Sequence, residues 1–185
     1  MKKGLALVLA VLLLAGCSAA SNDLDRAMQL RTALQSGSCS FEAIITADYG
    51  DKIYTFQMSC TADPGGMISF RVTEPSSIAD ICGHISSNGG ALTFEDTLLE
   101  FPLLADGQLS PISAPWLLIR TLQGGYLTGA GMEGELLRLQ IDDSFEENDL
   151  SLTVWLDEND LPVAADILYA GRRILSVTVK NFTLL

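Results

Sequence analysis

The residues of this 185-residue chain that could do chemistry are few: four cysteines, one histidine, two acidic runs and one glycine-rich stretch. Cys82 and His84 are two apart, so on a strand their side chains share a face and can approach each other. A Cys–His nucleophile needs that proximity together with a lowered thiol pKa. No neighbouring group supplies an oxyanion hole, and the pair reads as a core thiol beside a polar His. The acidic runs Asp142–Asp149 and Asp157–Asp160 carry hard oxygens suited to calcium, but neither has the Asp/Asn-Gly-Glu spacing of a calcium loop, and both fall where hairpin turns are expected. No Cys/His group has zinc-ligand spacing. The stretch Gly124 to Gly131 precedes no helix and no Lys-Ser/Thr, so it reads as a sheet bend or lid hinge rather than a phosphate cradle. The expectation is a non-catalytic protein with no cofactor and no metal.

The elements that position these residues begin with the first 22. Met-Lys-Lys opens the chain and an uninterrupted apolar run follows from Leu5 to Ala15. Eleven residues are too few for a bilayer span, which needs about 20. Behind a basic start the run reads as a signal-peptide h-region. It ends in Leu14-Ala15-Gly16-Cys17, which resembles the bacterial lipobox. That resemblance implies cleavage after Gly16, acylation of the Cys17 thiol, and a domain held by lipid at the extracytoplasmic face of a cell membrane; an ordinary secretory signal that happens to end in Cys is the alternative. Each buried acyl CH₂ contributes about 0.8 kcal/mol, and stable anchoring takes more than one chain. Residues 1–16 are thus signal, 17–22 a lipidated tether, and 23–185 one domain. The whole chain has 11 Lys+Arg against 23 Asp+Glu; losing the signal removes two bases and leaves 9 against 23, a balance of −14. Such acidity excludes nucleic acid as a partner and charge-driven membrane binding.

With Cys17 carrying lipid, Cys39, Cys60 and Cys82 remain, an odd count for an oxidising compartment. Residues 39–48 and 51–60 alternate about Tyr49-Gly50, the pattern of a tight hairpin turn. Pairing Asp48 with Asp51 sets Cys39 opposite Cys60 at a non-hydrogen-bonded position, where opposed Cα atoms are nearest. This predicts a Cys39–Cys60 cross-strand disulfide, with Cys82 left as a free thiol.

Residues 22–35 follow helical 3/4 spacing through Leu24, Ala27, Met28, Arg31 and Leu34, with Ser21 or Asn22 as N-cap and Gly37 as the stop. The period then becomes two. Strands are predicted at 39–48, 52–61, 67–73, 80–86, 91–95 and 97–101. A helix over 116–122 is capped by Ser113 with Pro115 in its first turn. Strands resume at 126–130, 135–142, 150–157, 163–170 and 173–183. Clean alternation such as Leu137, Leu139 and Ile141 against Arg138 and Gln140 marks half-buried antiparallel strands. About ten strands with two helices make a mainly β (α+β) fold, one large curved sheet whose concave side the helices fill.

This order of lipobox, N-terminal helix, antiparallel strands, inserted helix and closing strands resembles the LolA/LolB-like superfamily of lipoprotein carriers, lipid-carrying lipoproteins, envelope-stress sensors and spore-germination lipoproteins. The resemblance spans nearly the whole mature chain but is one of pattern, without a diagnostic short motif. Segments 48–52, 101–107 and 155–162 resemble those of lipoproteins from anaerobic Gram-positive bacteria. It implies an open antiparallel half-barrel closed by a helical lid. The arginine that some carriers place inside the cavity has no assignable counterpart here.

The apolar row Phe41, Ile45, Phe56, Met58, Phe70, Leu139, Leu152, Val154 and Val177 can be read two ways. It is either core packed against the helices or the lining of a pocket for a lipid or acyl chain, with Trp116, Leu117 and Leu118 as lid. The first reading of function is a lipid-anchored protein that binds a hydrophobic ligand. The alternative is a protein-interaction module of the same fold, an envelope sensor or the partner of a cell-wall enzyme. A filled cavity, an exposed apolar edge strand and a surface Cys82 would favour the alternative.

Overall fold

The computed structural model describes residues 22–94, 97–101, 104–105, 108–144 and 150–185. Helix α1 spans 22–36. It is followed by β1 (Cys39–Asp48), β2 (Ile53–Ala62), β3 (Ile68–Glu74), β4 (Cys82–Ser86), β5 (Gly89–Phe94), β6 (Thr97–Phe101), and the two-residue strands β7 (Leu104–Ala105) and β8 (Gln108–Leu109). A 3₁₀ turn (Pro111–Ser113) leads into α2 (Ala114–Gly124), and the chain closes with β9 (Tyr126–Glu133), β10 (Leu136–Asp142), β11 (Leu150–Leu156), β12 (Pro162–Tyr169) and β13 (Arg172–Leu184).

Eleven strands form one antiparallel sheet in the order β6-β5-β4-β3-β2-β1-β13-β12-β11-β10-β9, while β7 and β8 pair only with each other. The sheet is not closed into a barrel: β6 and β9 are its two edges. Each half is a meander, and the halves meet where the first strand pairs with the last, Ala43 opposite Val179 and Ile45 opposite Val177. Bulges at Ser40/Glu42, Gln57/Met58, Gln140/Ile141, Trp155/Leu156 and Ile167/Leu168 interrupt the ladders, and each adds local bend and twist.

Period-two patterning carries through to burial. Cys39, Phe41, Ala43, Ile45 and Ala47 of β1 are buried, as are Leu150, Leu152, Val154 and Leu156 of β11. These rows and α2 form one core with Ala27, Leu30 and Leu34 of α1. The buried stripe of α1 keeps Ala27 and Leu34 of the predicted set and adds Leu30, while Leu24 and Met28 are 45% and 43% exposed. Leu30 takes the central place, and Arg31 flanks it because its guanidinium finds carbonyl partners at the C-terminal end of α2.

The first hairpin differs in register from expectation. The loop holds four residues, not two, with Asp48 opposite Ile53 as the last pair and the Tyr49 N–H donating to the Lys52 carbonyl at 3.1 Å. Gly50 adopts φ +93°, and its N–H donates to Asp48 Oδ1 at 2.8 Å. Two extra loop residues shift the pairing by two, which keeps every side chain on its predicted face but changes its partner. Cys39 faces Ala62 and Cys60 faces Phe41. The two cysteines are diagonal neighbours, with Cα atoms about 7–8 Å apart by sheet geometry, too far for a disulfide without backbone movement. The predicted Cys39–Cys60 disulfide is accordingly replaced by two buried free thiols.

Two other local expectations are corrected. Ser87-Asn88 makes a two-residue turn, so Gly89 and Gly90 belong to β5, opposite Ser86 and Ile85. Ser113 does not cap α2: the 3₁₀ turn runs directly into the helix, Ser113 has helical dihedrals, and its hydroxyl is buried without a partner among the described residues. Pro115 does sit in the first turn, as predicted.

Candidate functional site

The residues expected to line a ligand pocket lie together on the concave face, and they are packed. Phe41, Ile45, Met58, Phe70, Trp116, Leu139, Leu152 and Val154 are all buried in the core, and Phe56 packs against it half-buried. Val177, Leu117 and Leu118 are buried in the same core. None of these apolar side chains lines the open clefts around Trp155, around His84 or along α1 at Met28.

The two helices are tied down over this core. The Trp116 indole N–H donates to the Gly66 carbonyl at 2.9 Å, fastening α2 to the β2–β3 turn. Arg120 stacks over the Trp116 ring at 5.0 Å and pairs with Asp143 at 3.3 Å. Arg26 of α1 reaches Asp160 in the β11–β12 turn at 2.7 Å. Arg31 donates from Nε to the Leu122 carbonyl at 2.9 Å and from its terminal nitrogen to the Gly125 carbonyl at 2.7 Å. Carbonyls at a helix C-terminus have no intrahelical partners and carry partial negative charge, so a cation there is well placed. Burial lowers the Arg31 pKa. Gln123 and Gln35 complete the junction, the first donating to the Leu34 carbonyl at 2.9 Å and the second to the Gln123 carbonyl at 2.7 Å. Sequence reasoning missed these tethers because each polar side chain meets a carbonyl or carboxylate remote in the chain.

Gly125 is where helix and sheet come closest. A Cβ there would lie 2.6 Å from Ile141 Cγ2 and 2.8 Å from the Thr121 carbonyl. The glycine-rich stretch thus ends α2 and permits close approach to β10 before running on as β9.

The chemical candidates separate. Burial pushes the Cys39 thiol up to about 11, against a backbone hydrogen bond to Ala62 that lowers it. Burial and the neighbouring Cys39 drive Cys60 further in the same direction. Both thiols stay protonated and unreactive at neutral pH. Cys82 is half-buried and its Sγ donates to the Asp80 carbonyl at 3.3 Å. His84 opens onto a cleft of about 440 Å³ with Ser86, Asn88 and Glu100. Ala91 stands between His84 and Glu100 in the cross-strand row, so they do not pair. In the second acidic run Asp157 accepts the N–H groups of Asn159 and Leu161 at 2.8 and 3.0 Å, and Asp160 is taken by Arg26. Residues 145–149 of the first run, and Cys17, lie outside the described residues. No group of three or more His, Cys, Asp or Glu that could hold a metal occurs among the described residues.

Two outer features were not expected. On β6, Leu98 and Leu99 are 63% and 51% exposed on a strand paired on one side only. On the outer face of β9–β12 a cleft of about 660 Å³ includes Trp155, Arg138, Gln140 and Glu133. The signal for the second was a Trp at a polar position of an alternating strand.

Solved structures with similar architecture include a putative outer membrane lipoprotein-sorting protein domain from Vibrio parahaemolyticus (10% identity, 89% of this chain and 93% of that one, TM-score 0.49). A LolA superfamily protein from Nitrosomonas europaea is 10% identical over 86% of this chain and 93% of its own, with TM-score 0.43. A chain from the complex of the CwlD amidase with the GerS lipoprotein from Clostridioides difficile is 12% identical over 80% and 86%, with TM-score 0.45. Neither a family model nor a curated protein sequence matches the chain. These are likenesses of fold.

Proposed function

We propose that this chain is an exported lipoprotein, anchored through acylated Cys17 at the extracytoplasmic face of the cell membrane, which acts without catalysis as a protein-interaction module. The observation that carries this reading is the burial of the concave face beneath the two helices. Eight of the nine side chains that would contact a hydrophobic ligand are buried against one another and the helices. To admit an acyl chain, α1 and α2 must leave the sheet. That movement breaks the Arg26–Asp160 pair and the Trp116–Gly66 bond, and bares the core. In this reading the lipid at Cys17 makes the membrane contact; no helix among the described residues is long and apolar enough to cross a bilayer.

The exposed leucine pair of β6 supports an interaction role, because an edge strand presents unpaired N–H and C=O groups to a partner. Two measurements on the full chain extracted in detergent test the reading. Native mass spectrometry is expected to show the polypeptide with its covalent lipid and no further lipid. A stoichiometric non-covalent lipid would restore the carrier reading. A photo-crosslinker at position 98 in cells is expected to give a discrete adduct with an envelope protein, and one at exposed position 180 none. Equal labelling from both positions argues against β6 as the contact.

A further inference from the structure

The geometry points to a second binding site, on the outer face of β9–β12, for a neutral oligosaccharide. Two cross-strand rows build it. In the first, Gly131 opposes Arg138, Arg138 opposes Trp155, and Trp155 opposes Ala164, so one indole and one guanidinium stand between small residues. In the second, Gly129, Gln140, Thr153 and Asp166 follow one another across the same strands. The result is a trough of about 660 Å³ running across the strands, within the usual size of small-ligand sites.

Its aromatic and charged groups hold one another in place. Trp155 Nε1 donates to Glu133 Oε2 at 3.1 Å, and Arg138 Nε lies 3.5 Å from the same oxygen. Asp166 accepts from Arg173 at 3.2 Å and from Ser176 at 2.8 Å. Two acids are thus matched by two bases inside a chain of net charge −12, which leaves the trough without a call for an ion. The Gln140 amide and the Thr153 hydroxyl make no side-chain hydrogen bond to another described residue, so a neutral donor and acceptor set faces the trough beside a fixed indole. A β-linked pyranose matches this: one C–H face to lie on an amphipathic ring and hydroxyls at its rim for Gln140 and Thr153. A peptide strand would instead pair along the free edge of β9, parallel to the strands.

The test uses the full chain in a sugar-free detergent with ¹⁵N-labelled tryptophan, whose two indole resonances report Trp116 and Trp155 separately. Tetrasaccharides of β-1,4-linked glucose and of β-1,4-linked N-acetylglucosamine are the probes. A saturable shift of Trp155 with at least one probe, at up to millimolar concentration and with Trp116 unmoved, is expected. Gly131→Leu fills the trough where a Cβ meets no atom within 4 Å, and is expected to weaken binding about tenfold or more with an unchanged thermal midpoint. Gln140→Ala is expected to weaken it less. The proposal is overturned if neither sugar moves Trp155, if both indoles move together, if G131L binds as the parent does, or if Trp155 responds only to a capped hexapeptide of alternating Val and Thr.

Discussion

The two faces of β10 and β11 are one residue apart in sequence and opposite in physics. Inward, Leu137, Leu139, Ile141, Leu152 and Val154 are sealed under the helices. Outward, Arg138, Gln140, Thr153 and Trp155 border an open trough. Alternation alone decides which face is apolar, but it does not decide which face is filled. The inner face is covered because α1 and α2 are held over it by long-range side-chain bonds, while the outer trough stays open beside Gly131, where a Cβ would meet no atom within 4 Å. A binding site on this sheet is therefore favoured on its polar side, the reverse of what the apolar rows suggest.

The comparison breaks most visibly under truncation. Leu152→Ala on the inner face is expected to cost about 2–5 kcal/mol of unfolding free energy. Thr153→Ala, its sequence neighbour on the outer face, should stay within about 0.5 kcal/mol. Equilibrium denaturation of the two variants checks this, and similar losses from both would mean that the outer face is also structurally committed. Arg31→Met should cost an intermediate amount, about 1.5–3 kcal/mol, because hydrogen bonds from a charged group are lost at two helix-end carbonyls. A loss near zero would show that the α1–α2 junction is held by apolar packing alone.

A pH-dependent effect sharpens the burial contrast. Because the Cys39 pKa rises from 9.0 to about 11 on folding, the native state keeps a proton that the unfolded chain loses above pH 9. The contribution is whole below pH 9 and disappears as pH rises from 9 towards 11, with Cys60 acting in the same sense. Denaturation midpoints should fall across that window and fall less in Cys39→Ser. Under native conditions at neutral pH, iodoacetamide should label Cys82 first and reach Cys39 and Cys60 only on unfolding. Early labelling of all three would contradict the buried placement.

Much of this was readable beforehand because each element carries its period in plain form. The β1 row from Cys39 to Ala47, the β10 and β11 rows, and the helix through Trp116 were all assignable from spacing. What failed was partner choice. Tyr49-Gly50 looked like the whole turn, but Asp51 and Lys52 also belong to the loop, and that two-residue shift of β2 separated Cys39 from Cys60. In α1, Leu24 and Met28 satisfied helical spacing as well as Leu30 does, and only the position of the sheet selected the stripe. Ser113 had the right residue type for a cap, but the preceding 3₁₀ turn removed the extended geometry that a cap requires.

The amino-acid sequence by itself determined the antiparallel, half-buried strands, the two helices, the net acidity, and the face each strand side chain takes, because all of these depend on local period and composition. The tertiary structure alone decided that β1 pairs with β13, that the cysteines sit diagonally, that the helices are latched over a filled core, and that a trough opens behind Trp155. The physical reason is that every strand here carries much the same alternation, so many pairings satisfy the pattern equally. The choice among them falls to loop length, bulges and long-range side-chain hydrogen bonds, whose partners lie up to 139 residues apart.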